Sequence, residues 1–186
     1  MRELLGRYKY RGHERLAPLL GLMLDSAYIQ LESFIGEHQR NRQISRAAPW
    51  QADLLVPVPV SESRLIERGF NQAERLADVL SRRRGIPQLP LLIRTHHTGK
   101  QSFKSRAERI AAMKHAFDAI MNESVKIQFA GMLDKAEQED RPMQIIIIDD
   151  IYTTGSTIRA CAEVLQHLCA CYGKTAEVYS LTWARS

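Results

Sequence analysis

Four consecutive isoleucines, Ile145, Ile146, Ile147 and Ile148, run directly into Asp149 and Asp150. A β-branched run that is apolar at every position, and not only at every second one, fits a strand covered on both faces, as in the middle of a parallel sheet. The polar stretch from Asp149 to Gly155 follows as a turn. From Ser156 to Tyr172, the residues Ile158, Cys161, Ala162, Leu165, Leu168 and Cys169 share one helical face, and Gly173 is placed to end the helix. Strand, turn and helix in this order form a βα unit, so the chain reads as an α/β fold with a mostly parallel sheet flanked by helices.

The remaining elements are arranged around that unit. Residues 52–56 read as a buried strand that Pro57 and Pro59 end, because neither ring donates to a ladder. Asn71 and Glu74 form a capping pair ahead of Ala73, Leu76, Ala77 and Leu80 at helical spacing, with Gly85 and Pro87 closing the segment. Residues 89–93 and 178–183 are further strand candidates, and residues 122–129 a short one. Residues 106–113 read as a helix, while 94–105 and 134–142 read as loops. Ahead of the core, residues 13–39 carry an apolar helical stripe, so residues 1–48 form a small N-terminal helical segment and residues 49–186 the core of one compact domain.

Composition sets the setting. The chain is 45% hydrophobic and 25% charged, which suits an ordinary folded protein. Its apolar runs are too short to cross a bilayer and no signal segment opens it, so the expectation is a soluble, cytoplasmic protein without a membrane span. Cys161, Cys169 and Cys171 match neither a paired framework nor a C-x2-C zinc pattern, and are read as small buried apolar residues. The 26 basic and 21 acidic residues give a net +5 and a pI near 9.3. That balance favours a phosphate or polyanion ligand without selecting one.

The turn after the isoleucines is where chemistry is expected, since ligands of open parallel sheets sit beyond the carboxyl ends of strands. Thr153, Thr154, Ser156 and Thr157 bring hydroxyls, Gly155 permits close backbone approach, and the helix start offers unpaired amides. Residues 156–159 hold no Asp or Glu to occupy the positive end of the helix dipole, and they include Arg159. The turn therefore has the parts of a phosphate cradle, the alternative being a simple helix cap by Thr154 or Ser156. Asp149 and Asp150 beside it would repel unless neutralised or hydrogen-bonded. A sugar diol or Mg2+ would serve, and so would backbone N–H groups or solvent at a strand end. An apolar strand ending in two acids also suits the magnesium strand of P-loop hydrolases, but the companion G-x-x-x-x-G-K-[ST] is missing.

The run from Ile145 to Thr157 resembles the phosphoribosyl-diphosphate (PRPP) signature of the type I phosphoribosyltransferases. A narrower likeness joins Tyr8-Lys9-Tyr10-Arg11-Gly12, Leu55-Val56-Pro57-Val58-Pro59, Arg68-Gly69-Phe70-Asn71-Gln72-Ala73, Gln101 with Arg106, and Ala116-Phe117. Together these resemble the ComF/GntX family, whose members are linked to late competence, to the handling of single-stranded DNA and, for some, to gluconate metabolism. The resemblance implies a type I phosphoribosyltransferase fold with an N-terminal hood. It also implies roles for individual residues. Asp149 and Asp150 would hold the ribose hydroxyls and Mg2+, directly or indirectly, and Thr153, Thr154, Gly155, Ser156 and Thr157 the 5′-phosphate. Pro59, Val60, Ser61 and Arg68 would face pyrophosphate, and Arg106 and Gln101 would act from a loop that closes over PRPP.

Two departures from the family pattern shape the functional expectation. Thr153 stands where purine-salvage members carry an aspartate base, which disfavours hypoxanthine or guanine salvage because a threonine cannot take up that proton at neutral pH. The four-cysteine zinc module that usually precedes the Tyr-Lys-Tyr-Arg-Gly segment is missing, so zinc is not expected; a truncated chain and a shorter branch both stay open. The resemblance therefore implies Mg-dependent phosphoribosyl transfer to an unidentified acceptor, linked to competence and DNA uptake, or a non-catalytic PRPP sensor or DNA-handling component. Partners would be PRPP, single-stranded DNA, competence-machinery proteins and a second copy of the chain. Basic residues near the start, the run Arg82, Arg83 and Arg84, and the aromatics Tyr8, Tyr10 and Trp50 are the candidate DNA contacts, against the alternative of solvated charges and packed rings.

Overall fold

The computed structural model describes residue 8 and residues 14–41, 49–95 and 116–185. The isoleucine run lies in the middle strand of a three-stranded parallel sheet of order β1-β4-β5, comprising β1 (Leu54–Pro57), β4 (Met143–Tyr152) and β5 (Ala176–Arg185). All four isoleucines are 0% exposed, because helices cover both faces. Ile145 and Ile147 pack with α4 (Glu123–Gln138), α5 (Ser156–Cys171) and a small antiparallel pair, β2 (Leu92–Arg94) with β3 (Phe117–Ala119). Ile146 and Ile148 pack with α1 (Ala17–Asn41) and α3 (Gln72–Arg84). The expected α/β architecture, a mostly parallel sheet flanked by helices with an N-terminal helical segment, is therefore what the chain forms.

Several local expectations are corrected. Residues 122–129 are no strand: Asn122 caps α4 by accepting from the Val125 amide at 2.9 Å, and the helix runs through most of the expected 134–142 loop. A short helix, α2 (Glu62–Arg68), unforeseen in the sequence, fills the connection after β1, and Gly69 ends it at φ +80°. β1 keeps Pro57 as its last residue, and the ladder continues where the next amide, of Val58, donates to the Ile148 carbonyl at 2.9 Å. β4 extends through both aspartates to Tyr152, which leaves the turn only residues 153–155. Cys161 and Cys169 are buried as expected, whereas Cys171 is exposed because it lies off the apolar face of α5.

The N-terminal helix is fixed by charge as well as by packing. Asp25 of α1 is 4% exposed and accepts from Arg83 at 2.8 Å and from Arg84, both in the last turn of α3. Burial alone would raise the Asp25 carboxyl, but the Arg84 and Arg83 hydrogen bonds outweigh it and hold its pKa below the ordinary value. Its stabilisation is thus complete above about pH 4, the ordinary range for Asp, and is lost as pH falls through the lower folded value. Asp25→Asn is expected to lose about 1–2 kcal/mol at pH 7 in urea unfolding, the half-exposed Arg83 head limiting the loss. The deficit should shrink towards zero in acid; a deficit constant with pH would refute the ion pairing.

Candidate functional site

The site is placed by the connections of β1 and β4. After β1 the chain passes through α2 to α3, which packs on the Ile146 and Ile148 side, and bridges back at Gln88 on the edge of β1 away from β4. After β4 it passes through α5 on the other face and on to β5. Neighbouring strands whose connections leave in opposite directions open a crevice at their carboxyl ends, the usual ligand position in such sheets. Pro59, Val60 and Ser61, all half-buried, lie on one lip of this crevice, and the turn at residues 153–155 lies on the other.

That turn is shaped by Gly155, at φ +74°, where the Tyr152 hydroxyl lies so close that a Cβ would come within 2.5 Å of it. Gly155 is also the N-cap residue of α5 and offers no side chain to it, and the first turn of the helix holds no acid. The helix's own ladder includes the Arg159 amide donating to the Gly155 carbonyl at 2.9 Å, so the amides of Ser156, Thr157 and Ile158 precede it. The Thr154 and Ser156 hydroxyls bond each other at 2.9 Å, and neither caps the helix. Thr153 and Thr154 are exposed, and Ser156 and Thr157 half-buried.

Strand pleating sends the two aspartates to opposite faces of the sheet. Asp149 continues the Ile145 and Ile147 face, is partly exposed, and accepts from the Asp150 amide at 2.8 Å. Its charge bears on Cys161, whose thiol is pushed up by burial and then by Asp149, and on Arg94. Asp150 continues the Ile146 and Ile148 face, is 6% exposed, and lies near Tyr8, whose phenol is pushed up by burial and then by that carboxylate. Tyr8 donates to the Gln72 carbonyl at 3.0 Å and packs on Phe70 with ring centres 5.5 Å apart.

The motif Arg68-Gly69-Phe70-Asn71-Gln72 builds the other wall. Asn71 caps α3 by accepting from the Ala73 amide at 3.1 Å, and its own amide donates to the Val58 carbonyl at 3.1 Å, tying the loop after β1 to the helix. Arg68 is 8% exposed and donates to the Gln72 side chain at 3.0 Å. Two cations the sequence reading passed over bear on each other. Arg64 is exposed on α2, and Arg94, at the end of β2, lies over the Phe117 ring at 5.6 Å. Arg94 holds its proton less firmly than usual, first through burial and then through the Arg64 charge. No signal along the chain joins these two residues, because 30 positions separate them.

Gln101 and Arg106 lie outside the described residues, as do the 94–105 loop beyond Thr95, the 106–113 helix and Tyr10. Of the candidate DNA contacts that are described, the two rings are packed and the arginine run is in part ion-paired. Tyr8 is fully buried, Trp50 is 5% exposed and donates to Gln144 at 2.7 Å, and the run Arg82, Arg83 and Arg84 pairs with Asp78 and Asp25. A separate shallow cleft of about 280 Å3, bordered by Glu137, Asp140, Arg141 and Lys174, opens at the amino ends of β4 and β5 and holds none of the predicted site residues.

Comparison with known proteins places the chain. No family model matches it. It is 32% identical over its full 186 residues to competence protein ComFC of Bacillus subtilis, 60% of whose length it spans. It is 31% identical over 117 residues, 62% of the chain and 45% of the relative, to competence protein F of Haemophilus influenzae. It is 31% identical over 114 residues, 61% of the chain and 43% of the relative, to the DNA utilization protein YhgH of Escherichia coli K12. A solved structure described as the allosteric regulatory enzyme of purine biosynthesis aligns with 91% of this chain and 26% of its own, at 19% identity and a TM-score of 0.39. No described helix is long and apolar enough to cross a membrane. Competence proteins thus match this chain over all or most of its length, while it spans 60% or less of theirs.

Proposed function

We propose that this chain binds Mg·PRPP in the crevice between β1 and β4 and transfers the phosphoribosyl group to an acceptor, as part of a competence or DNA-utilisation process. The observation that carries the reading is a partly exposed Asp149 beside a helix start that holds no acid, both at one topological switch point. In this reading the amides opening α5, with Thr153, Thr154, Gly155, Ser156 and Thr157, receive the 5′-phosphate. Asp149 and Asp150 receive the ribose hydroxyls, and Pro59, Val60 and Ser61 face pyrophosphate. The donor set fits a magnesium ion carried on the ligand, because Asp149 is a partly exposed carboxylate at the end of β4. Such an ion needs only one or two carboxylates together with phosphate oxygens, and it would neutralise charge on the diphosphate. In the transfer, the bond from C1′ to the diphosphate oxygen breaks with its electron pair leaving on the diphosphate, and a lone pair of the acceptor forms the new bond to C1′. Gln101 and Arg106 are proposed to act on that leaving group.

The exposed Thr153 favours one other reading, a PRPP sensor without transfer, because this position supplies no base. Calorimetry with Mg2+ and PRPP tests both. Asp149→Ala/Asp150→Ala is expected to weaken binding about 100-fold, since each charge-assisted hydrogen bond contributes roughly 1.5–3 kcal/mol. Equal affinity for the wild type and the double variant would sink the site. Pyrophosphate release on adding a base acceptor separates transfer from sensing, and steeply salt-dependent binding of single-stranded DNA would support the DNA role.

A further inference from the structure

We propose that α1 is a self-association surface, pairing antiparallel with α1 of a second copy of this chain. The inference is independent of what the crevice binds. The helix is apolar on both sides: Ala17, Leu20, Leu24, Tyr28 and Ile35 are buried against the domain, whereas Leu19, Leu22, Met23 and Ile29 are 42–52% exposed and Phe34 is 67% exposed. Between residues 17 and 36 the only charged side chains are Asp25, buried against the end of α3, and Glu32, half-buried. An outward face without a charge for about five turns differs from the polar face that a helix at a protein surface normally turns to water.

The pattern on that face commits it to a second copy. Leu19, Ser26 and Ser33 recur every seven residues, and Leu22, Ile29 and Gly36 recur likewise three residues later, which is the seam of a helix pair. Laid antiparallel on itself about a two-fold axis between residues 27 and 28, the seam sets Leu19 over Gly36, Leu22 over Ser33 and Ile29 over Ser26. Every layer then joins a large side chain to a small one, whereas parallel pairing would stack large on large and small on small. Gly36 has nothing within 4 Å of where a Cβ would lie, so its hollow is open.

Charge and area agree with this occupant. Asp25 and Glu32 are seven residues apart and share one flank of α1, where Arg83 bonds Asp25 with its head about half exposed. The antiparallel pair brings that guanidinium beside the partner's Glu32. The exposed parts of the five large apolar side chains come to roughly 500 Å2 per copy, so the pair buries about 1,000 Å2, the least that a specific interface needs and the size of a weak, concentration-dependent dimer. A bilayer is the poorer occupant, because helices that lie on lipid flank the apolar face with Lys and Arg, and residues 17–39 contain neither.

Sedimentation velocity from about 1 to 200 µM should show a reversible monomer–dimer equilibrium. Leu22→Glu and Ser33→Glu, both at exposed positions, should each raise the dimer dissociation constant about tenfold or more while the monomer keeps its melting temperature and its affinity for Mg·PRPP. Register is tested in a Cys171→Ser background, which removes the exposed native thiol. There Leu22→Cys/Ser33→Cys should be locked into a covalent dimer by oxidised glutathione. Neither single cysteine should cross-link, because the register holds residue 22 about 16 Å along the axis from residue 22 of the partner, and residue 33 likewise. A chain that stays monomeric at about 200 µM would overturn the inference, as would a dimer untouched by both glutamate variants. Single-cysteine variants that cross-link as readily as the double would also overturn it, and so would a monomer that binds phosphatidylglycerol vesicles through α1.

Discussion

Asp53→Ala is expected to lower the unfolding free energy by about 3–5 kcal/mol, the cost of removing one partner from a largely buried pair. Asp53 lies just before β1 and accepts both arms of the Arg141 fork, at 2.6 and 2.7 Å, together with the Gln144 amide at 2.7 Å. Its own amide donates to the Gln144 carbonyl at 2.8 Å. One carboxylate thus sets the register in which β1 enters beside β4, and removing it leaves a guanidinium and a backbone N–H to find water in a half-closed space. The Arg141 side chain is 30% exposed, which puts the expectation towards the lower end of the range. The hydrogen bonds that Arg141 donates to Asp53 and Glu139 push its pKa up against the burial that opposes them, so the guanidinium stays charged throughout. Asp53→Asn keeps one acceptor oxygen and should fall between the wild type and Asp53→Ala in urea unfolding. A loss below about 1 kcal/mol for Asp53→Ala would mean that solvent replaces these bonds and that packing alone sets the register.

What could be read along the chain followed from how local each cause is. The isoleucine run, the open helix start and the Asn71 cap are properties of adjacent residues, and each appears in the fold where the spacing puts it. Residues 122–129 misled because Val125, Ile127 and Phe129 alternate as a strand would. In the folded chain Ile127 is 68% exposed, and the buried set Phe129, Leu133 and Ala136 follows helical spacing that extends beyond the window. The ComF likeness brought the acidic pair and the Thr-Thr-Gly-Ser-Thr turn into view. It could not show that pleating sends Asp149 towards Arg94 and Asp150 towards Tyr8. Arg64 and Arg94 bear on each other only through the tertiary fold, so nothing in their immediate neighbours marks them. Arg68 has the opposite history, being prominent in the sequence motif and buried in the fold.

Gly155→Val should weaken Mg·PRPP binding by well over tenfold, while Gly131→Ala, the same class of change elsewhere, should raise stability. At Gly155 two penalties coincide. The left-handed φ of +74° costs a residue with a Cβ about 1–2 kcal/mol, and more for a branched one, and that Cβ would lie 2.5 Å from the Tyr152 hydroxyl. Either the turn flips to a negative φ or Tyr152 is driven out, taking with it the ring over which the Arg185 guanidinium lies at 5.6 Å. Both movements re-aim the amides at the start of α5, which must converge on one phosphate to bind it well. Because the turn is surface-exposed and the helix behind it remains packed through Cys161 and Leu165, the change should cost affinity out of proportion to stability. Gly131 lies in the interior of α4 with nothing within 4 Å of where its Cβ would be, so alanine there should add about 0.5–1 kcal/mol by restricting the unfolded chain. Thermal melts and ligand titration on both variants separate the two effects. If Gly155→Val binds ribose 5-phosphate as the wild type does, the α5 start is not the phosphate cradle, whatever the Asp149 variants show.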